Sequence, residues 1–226
     1  MHSNGKLSLV ATPIGNLEDI TLRALRTLRE CDVVLCEDTR VTGKLLAHHE
    51  IKKSLRRYDA HTSPEAHTKI ISELETGTHF VLVSDAGTPG ISDPGVLLIN
   101  QARAADALIE AIPGPSAFTT AVSLAGFSGN QFAFLGFAPQ KKGRETFFKS
   151  LNERKEPAIF FESTHRIIKT LTSLAEHCPQ AKVYVGRELT KMFEEMIIGN
   201  PAEILETLEA EPVRQKGEFV LIVENQ

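Results

Sequence analysis

Mostly apolar runs alternate with amphipathic segments along the first half of the chain. Residues 7–11 (LSLVA) and 79–83 (HFVLV) are short runs of the kind found in strands buried on both faces. Residues 19–31 (DITLRALRTLREC) carry apolar side chains at spacings of three and four, which is typical of an amphipathic helix. Because strand-like and helix-like segments keep alternating, the pattern predicts a mainly parallel sheet with helices on both faces.

The second half of the chain follows a different pattern. Two strand-like segments, KVYVGREL and EEMIIGN, come in close succession, and a helix (PAEILETLEA) and a last strand (GEFVLIVEN) follow them. This order predicts a mixed sheet with antiparallel members. The turn-rich segment IPGPSA at 112–117 is the natural boundary. We therefore predict two α/β domains, residues 1–115 and 116–226, with a ligand cleft between them.

Composition and charge narrow the class of protein. The 226 residues carry a formal net charge of −4, which argues against a protein that coats nucleic acid non-specifically. No apolar run reaches the roughly 20 residues of a membrane span, and the first residues do not resemble an export signal. Cys31, Cys36 and Cys178 form no CxxC pair, which suggests reduced thiols. We expect a cytoplasmic protein without a membrane partner.

Three strands of the first half are followed by loops rich in glycine and proline. These loops are ATPIGN (11–16), SDAGTPG (84–90) and IPGPSA (112–117). Ligands of parallel α/β sheets bind beyond the carboxyl ends of the strands, and glycine lets them approach the backbone. Each loop alone is better explained as a tight turn, but three together favour a ligand site. Neither GxxxxGK[ST] nor GxGxxG occurs, so a nucleoside without phosphate fits better than a phosphate.

Eight motifs in order along the chain resemble a known family. They are LVATPIGNLEDITLRAL, EDTR, LVSDAGTPGISDPG, IPGPSA, GFAPQKKGR, ESTHR, RELTKMFEE and KGEFVLIVE. They resemble the small-subunit ribosomal RNA methyltransferases of the tetrapyrrole methylase-like (class III) S-adenosylmethionine-dependent superfamily. The resemblance implies S-adenosyl-L-methionine as cofactor and usually a homodimer. It implies methylation of the ribose 2′-hydroxyl of a cytidine in the decoding region of 16S rRNA, within the small ribosomal subunit.

The sequence departs from the family pattern in two places. Members usually continue beyond the GEFVLIVE strand with a small helical extension, whereas this sequence ends at Gln226. Relatives often carry a His-Glu-His-Asn-type segment where this chain has YDAHTS (58–63). Both departures fall on regions expected to touch RNA rather than the cofactor.

The resemblance also implies which residues hold the cofactor. These are Pro13 in the first loop, Asp85, Gly87 and Thr88 in the second, and Ser116 and Ala117 in the third. The position of these residues at strand ends independently favours the same site. A sulfonium already carries a positive charge, so no metal is expected.

Candidate groups for the methyl acceptor lie in the second half. Within RELTK, Lys191 is a candidate base if burial lowers its pKa, and Glu188 is a candidate to orient an arginine. Arg187 and Arg166 are candidates to bind the phosphates that flank the target. The alternative is that the charged residues of this segment form structural ion pairs, namely Arg187, Glu188, Glu194 and Glu195.

Basic segments suggest where RNA binds. Lys141, Lys142 and Arg144 form the segment KKGR, and residues 56–57 are a second basic pair. Each alone is more often a solvated face, and the chain has no tryptophan and no RRM-type aromatic motif. We therefore expect recognition of a preformed ribosomal surface, with the target cytidine splayed into the cleft.

Two other functions stay open. Tetrapyrrole methyltransferases of the same superfamily typically begin with GxGxGD, whereas this chain has TPIGN. A non-catalytic cofactor-binding module is the second alternative.

Overall fold

The computed structural model describes residues 5–91, 95–127 and 130–225. The chain divides into two compact units, Met1–Ser116 and Ala117–Gln226. Ser92–Pro94, which belong to the motif SDAGTPGISDPG, lie outside the described residues. Within the described part of the chain, every helix is too short or too polar to cross a membrane.

The first unit contains a parallel sheet. In its described residues five strands follow the order β3-β2-β4-β1-β5, and every pairing is parallel. The strands are β1 (Lys6–Val10), β2 (Val33–Cys36), β3 (Ser54–Arg57), β4 (His79–Leu82) and β5 (Leu108–Ile112). The helices are α1 (Leu22–Glu30), α2 (Thr39–His48), α3 (Pro64–Glu75) and α4 (Val96–Ala104), with a 3₁₀ turn at Leu17–Asp19. The predicted parallel sheet is confirmed.

Alternate residues of the central strands enter two separate cores. Phe80 and Leu82 of β4 pack on one face of the sheet, whereas Val81 and Val83 pack on the other. Because both faces of β4 are buried, its sequence reads as a continuous apolar run. The strand ends are therefore the part of the sheet that is left to bind a ligand.

Local sequence sets where the helices begin. The Thr21 hydroxyl accepts a hydrogen bond from the Ala24 N–H (3.1 Å) at the start of α1. Ser63 caps α3 in the same way, with Pro64 in the first turn.

The second unit contains a mixed sheet. Its described strands follow the order β6-β7-β10-β8-β9, in which β6 and β7 are parallel and the other neighbours are antiparallel. The strands are β6 (Ala133–Phe137), β7 (Ala158–Ser163), β8 (Lys182–Arg187), β9 (Glu195–Gly199) and β10 (Glu218–Glu224). The helices are α5 (Ala117–Ala125), α6 (Arg144–Asn152), α7 (Ile167–His177) and α8 (Pro201–Ala210), with a 3₁₀ turn at Pro212–Gln215. The predicted mixed sheet is also confirmed.

A β-bulge interrupts the pairing of β6 with β7. Phe134 lies opposite Ile159, but the next pair is Phe137 opposite Phe161, so β6 advances three residues while β7 advances two. Gly136 lies within the bulge with a φ of +68°, a conformation that glycine adopts without strain. The extra residue places Phe134 and Phe137 on the same face of the sheet.

Candidate functional site

The three glycine-rich and proline-rich loops of the first unit lie together. Thr12 N–H donates to the Gly87 carbonyl (2.9 Å), and Gly87 N–H donates to the Thr12 carbonyl (3.0 Å). The Thr88 hydroxyl donates to the carbonyl of Pro115 in the third loop (3.3 Å). The loops thus meet at the carboxyl ends of β1, β4 and β5, as the strand pattern predicts.

Gly87 lies where the three loops are closest. Its φ is +81°, which is unfavourable for other residue types. A Cβ at this position would lie 3.5 Å from Ile14 Cγ2 and 3.8 Å from the Pro115 carbonyl oxygen. A side chain here would therefore point toward the first and third loops, and its absence lets the three loops lie close together.

Asp85 supplies a charged group beside this backbone. It is exposed, and its Oδ1 accepts a hydrogen bond from the Asp38 N–H at the end of β2 (3.0 Å). Burial and the negative charge of Asp85 both raise the pKa of the neighbouring Glu37 carboxyl. The second loop is thereby also connected to β2.

Two buried residues that the sequence analysis did not single out hold the loops in place. The Thr12 hydroxyl donates to the Ser84 carbonyl (3.1 Å). The Ser84 hydroxyl lies within hydrogen-bond distance of the carbonyls of Ala86 (3.1 Å) and Gly87 (3.2 Å). Their position within the motifs ATPIGN and SDAGTPG was the available signal, but serine and threonine in a loop are too common to stand out.

The remaining predicted cofactor residues occupy the first and third loops. Pro13 is buried beside Thr12. Ser116 is the last residue of the first unit, and Ala117 begins α5 in the second unit. Both are partly exposed.

The Arg187 side chain forms hydrogen bonds with groups of its own unit. The side chain is buried, and each of its three guanidinium nitrogens donates a hydrogen bond. Nε donates to the Lys216 carbonyl (2.7 Å), Nη1 to Glu195 Oε1 (2.9 Å), and Nη2 to the Val213 carbonyl (3.3 Å). These contacts favour the structural alternative for Arg187 over phosphate binding.

Lys191 is paired with two carboxylates. Its Nζ lies 2.9 Å from Glu188 Oε1 and 2.9 Å from Glu218 Oε2. Partial burial lowers the pKa of Lys191, but hydrogen bonds to Glu218 and Glu188 outweigh it and raise the pKa above its ordinary value. The predicted lowering of this pKa is therefore wrong, because the sequence did not reveal the second carboxylate. Glu188, with a φ of +49°, orients Lys191 rather than an arginine.

Glu162 forms ion pairs with two of the predicted RNA-binding arginines. Arg166 Nη2 lies 2.7 Å from Glu162 Oε1, and Arg144 Nη1 lies 3.7 Å from Glu162 Oε2. Arg144 Nη2 also donates to the Thr170 hydroxyl (2.7 Å), which donates to Glu162 Oε2 (2.6 Å). Arg144 is buried rather than on the surface, because this carboxylate and hydroxyl hold it in the interior.

The same arginines hold the loop that carries the other basic residues. Arg166 Nη1 donates to the Ala138 carbonyl (3.0 Å), and Arg144 Nη1 donates to the Pro139 carbonyl (2.9 Å). Lys141 and Lys142, which follow in this loop, are exposed. Of the four predicted RNA contacts in the second unit, Lys141 and Lys142 are thus the exposed ones, and Arg57 of the basic pair in the first unit is exposed as well.

The cysteines and other potential metal ligands point to no further chemistry. Within residues 5–91, 95–127 and 130–225, no cluster of three or more His, Cys, Asp or Glu residues is arranged to hold a metal ion. The three cysteines are buried and unpaired, and burial raises the pKa of Cys31 and Cys178 to about 11. Neither of these two thiols has the thiolate character that reactivity requires.

Comparison with known proteins defines the class. Residues 6–205 match the family model of the tetrapyrrole (corrin/porphyrin) methylases. Similar folds include a diphthine synthase (TM-score 0.73, 14% identity, 98% of this chain and 90% of that one). Another is uroporphyrin-III C-methyltransferase from Thermus thermophilus, complexed with S-adenyl homocysteine (TM-score 0.68, 18% identity, 97% of each chain). The fold is thus that of the tetrapyrrole methylases.

More similar sequences define the group within this class. The chain is 41% identical over 219 residues to ribosomal RNA small subunit methyltransferase I of Thermotoga maritima, covering 97% of this chain and 98% of the relative. It is 42% identical to the protein of that name from Pasteurella multocida, covering 97% of this chain and 79% of the relative. The Escherichia coli O157:H7 protein of that name is 40% identical, with 99% and 79% covered. The chain therefore belongs to the ribosomal RNA small subunit methyltransferase I group of the tetrapyrrole methylase family.

Proposed function

We propose that the protein transfers a methyl group from S-adenosyl-L-methionine to the ribose 2′-hydroxyl of a cytidine in the decoding region of 16S rRNA. The observation that carries the proposal is the match over 97% of this chain, at 41% identity, to a relative named for methylation of small-subunit ribosomal RNA. The three loops that meet at Gly87 support it, because they offer backbone and a carboxylate to a nucleoside.

The residues of the first unit fit such a cofactor. Asp85 is an exposed carboxylate, suited to ribose hydroxyls or to an ammonium group, and Gly87 adds no side chain between the first and third loops. Pro13, Thr88, Ser116 and Ala117 complete the proposed set. When bound, S-adenosyl-L-methionine supplies a methyl group on a positively charged sulfur, so the transfer requires no metal.

For Lys191 and Arg187 of the second unit we propose roles that differ from those the sequence suggested. A ribose hydroxyl is a very weak acid, so a nearby positive charge assists its attack. Lys191 is held protonated by Glu188 and Glu218, so it suits stabilisation of negative charge on the attacking oxygen rather than removal of its proton. Arg187 would stabilise the turn between β8 and β9, which carries Lys191.

Methyl transfer to isolated small ribosomal subunits tests the proposal. Subunits from cells that lack the protein are incubated with the enzyme and labelled S-adenosyl-L-methionine, and 2′-O-methylation is mapped by primer extension. We expect one cytidine of the decoding region to be modified. Uroporphyrinogen, offered in parallel, tests the alternative of a tetrapyrrole methyltransferase. Labelling of the porphyrinogen alone, or of neither substrate, would refute the proposal.

Asp85→Asn tests the cofactor site directly. Loss of the charge should weaken S-adenosyl-L-methionine binding by about 10- to 100-fold, since hydrogen bonds to charged groups are worth about 1.5–3 kcal/mol. Asp106→Asn is the matched control, because Asp106 precedes β5 at the opposite end of the sheet and asparagine tolerates its φ of +52°. Calorimetric titration measures both. Equal affinities in the two variants would remove Asp85 from the site.

The family resemblance also leads us to propose a homodimer. Sedimentation equilibrium should then report twice the chain mass of 24.8 kDa. A single-chain mass at micromolar concentration would contradict it.

A further inference from the structure

Phe137 is an exposed aromatic residue that the bulge in β6 directs away from the core. It pairs with Phe161 of β7, although regular alternation from the Phe134–Ile159 pair would place Gly136 there. Without the extra residue, Phe137 would lie on the face where Phe160 is buried. With it, the Phe137 side chain is 55% exposed. The bulge thus places the Phe137 side chain on the face of Phe134 and Phe161, where it is exposed.

A row of aromatic rings supports Phe137 from one side. Phe118 stacks on Phe134 (ring centroids 4.8 Å apart), and Phe134 contacts Phe161 edge-on (5.0 Å). Phe161 in turn contacts Phe137 edge-on at 5.3 Å. Such contacts favour one orientation of the Phe137 ring, whose remaining surface is exposed.

Two arginines hold the backbone between Phe137 and the two lysines. The carbonyls of Ala138 and Pro139 accept hydrogen bonds from Arg166 and Arg144. Both arginines are anchored on the buried Glu162. The segment between the aromatic ring and the lysines is therefore rigid at its backbone.

The surroundings of Phe137 suit a polyanion. The sequence contains no acidic residue between Glu110 and Glu145, although the whole chain has a formal net charge of −4. Lys141 and Lys142 are exposed within this stretch. Phe193, by contrast, is 65% exposed but is followed directly by Glu194 and Glu195. Charge therefore distinguishes Phe137 from Phe193, because only Phe137 lies in a segment without acidic residues.

We infer that Phe137, Lys141 and Lys142 form a platform on which one unpaired nucleobase of the substrate RNA stacks while the lysines contact the flanking phosphates. This inference rests on the proposed function, whose substrate contact it specifies. Every base has an aromatic face, so a single ring on a strand provides affinity without demanding a sequence.

Substitutions at Phe137 test the platform against a matched control. Phe137→Ala should weaken binding of undermethylated small subunits about 5- to 100-fold, the range for loss of one stacked base. It should raise KM for subunits and leave S-adenosyl-L-methionine affinity unchanged. Phe137→Tyr should restore binding, whereas Phe137→Leu, which keeps the apolar bulk, should not. Phe193→Ala is the control and should bind as the unmodified protein does; thermal melting verifies that each variant is folded.

Photocrosslinking separates this inference from the proposed function. A single-stranded RNA oligonucleotide carrying 5-iodocytidine is irradiated with the protein, and the crosslinked residue is identified by mass spectrometry. A crosslink at Phe137, with or without methyl transfer to subunits, supports the platform. A crosslink at Phe193, unchanged RNA binding by Phe137→Ala, or a change in sedimentation mass in place of an RNA defect would overturn it. The last outcome would assign the ring to contact with a second copy of the chain.

Discussion

At the scale of single residues, Glu162 is a buried anion on which two cations depend. Its side chain is fully buried, and it faces Arg166 at 2.7 Å and Arg144 at 3.7 Å. Arg144 Nε is also buried and has no hydrogen-bond partner among the described residues. Burial lowers the pKa of Arg144, which reflects the cost of keeping this charge in the interior. Glu162 offsets that cost.

Glu162→Gln should therefore strongly destabilise the protein. Removal of one partner leaves buried charge uncompensated, which costs about 3–5 kcal/mol in the free energy of unfolding. Urea denaturation measures the loss. Glu145→Gln is the control, because Glu145 and Lys149 form an exposed pair on α6 and its removal should cause no measurable change. Similar stabilities of the two variants would contradict the role assigned to Glu162.

At the scale of elements, the ends of β1, β4 and β5 are joined by their loops rather than by side-chain packing. Backbone hydrogen bonds link Thr12 with Gly87, and the Thr88 hydroxyl reaches the third loop at Pro115. Because these contacts use main-chain atoms, the loops keep their shape while leaving little side-chain bulk between them. The left-handed conformation of Gly87 is part of that arrangement.

Gly87→Ala should weaken the cofactor site and also cost some stability. The left-handed conformation penalises alanine by about 1 kcal/mol, and the methyl group would enter the space between the loops. Gly126→Ala is the control, because Gly126 has a φ of +62° but nothing within 4 Å of the added Cβ. Both variants should lose similar stability in urea. Only Gly87→Ala should lose affinity for S-adenosyl-L-methionine in calorimetric titration, by about tenfold if one contact worth about 1.4 kcal/mol is lost. Equal affinities would show that the methyl group is tolerated.

The sequence predicted what depends on local pattern and missed what depends on distant partners. The strands and helices could be predicted because segments such as 79–83 and 19–31 carry their periodicity within a few residues. The burial of Arg144 could not be predicted, because Glu162 lies eighteen positions away and only the packing of α6 beside β7 brings them together. Lys191 was misjudged for the same reason, since Glu218 comes from another strand. The sequence shows which side chains are charged, but it does not show which partners neutralise them.

At the scale of the whole molecule, charge is unevenly distributed. The chain is acidic overall, with a formal net charge of −4, whereas residues 111–144 contain basic residues and no acidic ones. An acidic protein can still bind RNA when attraction is confined to one surface. The exposed Lys141 and Lys142 lie in that segment, four and five positions after Phe137.

Salt dependence of RNA binding should reveal this local surface. Each phosphate contact on single-stranded nucleic acid contributes about 0.7 to the slope of log K against log salt, so the double variant Lys141→Ala/Lys142→Ala should lower the slope by about 1.4. Filter binding with a single-stranded oligonucleotide at several salt concentrations measures it. Lys44→Ala/Lys52→Ala, which removes two exposed lysines of the first unit, should leave the slope unchanged. An equal decrease in both variants would indicate diffuse attraction.

The bulge in β6 also affects how molecules of this protein avoid one another. Within the described sheet, β6 is an outer strand and has β7 as its neighbour on one side. A regular outer strand offers unpaired amides to any extended segment that drifts past, which is a route to aggregation. The irregular spacing at Gly136 interrupts that row of donors and acceptors, so a strand of another molecule cannot form a continuous ladder of hydrogen bonds with β6. The residue that turns Phe137 outward thereby also makes this edge of the sheet a poor template for pairing with another chain.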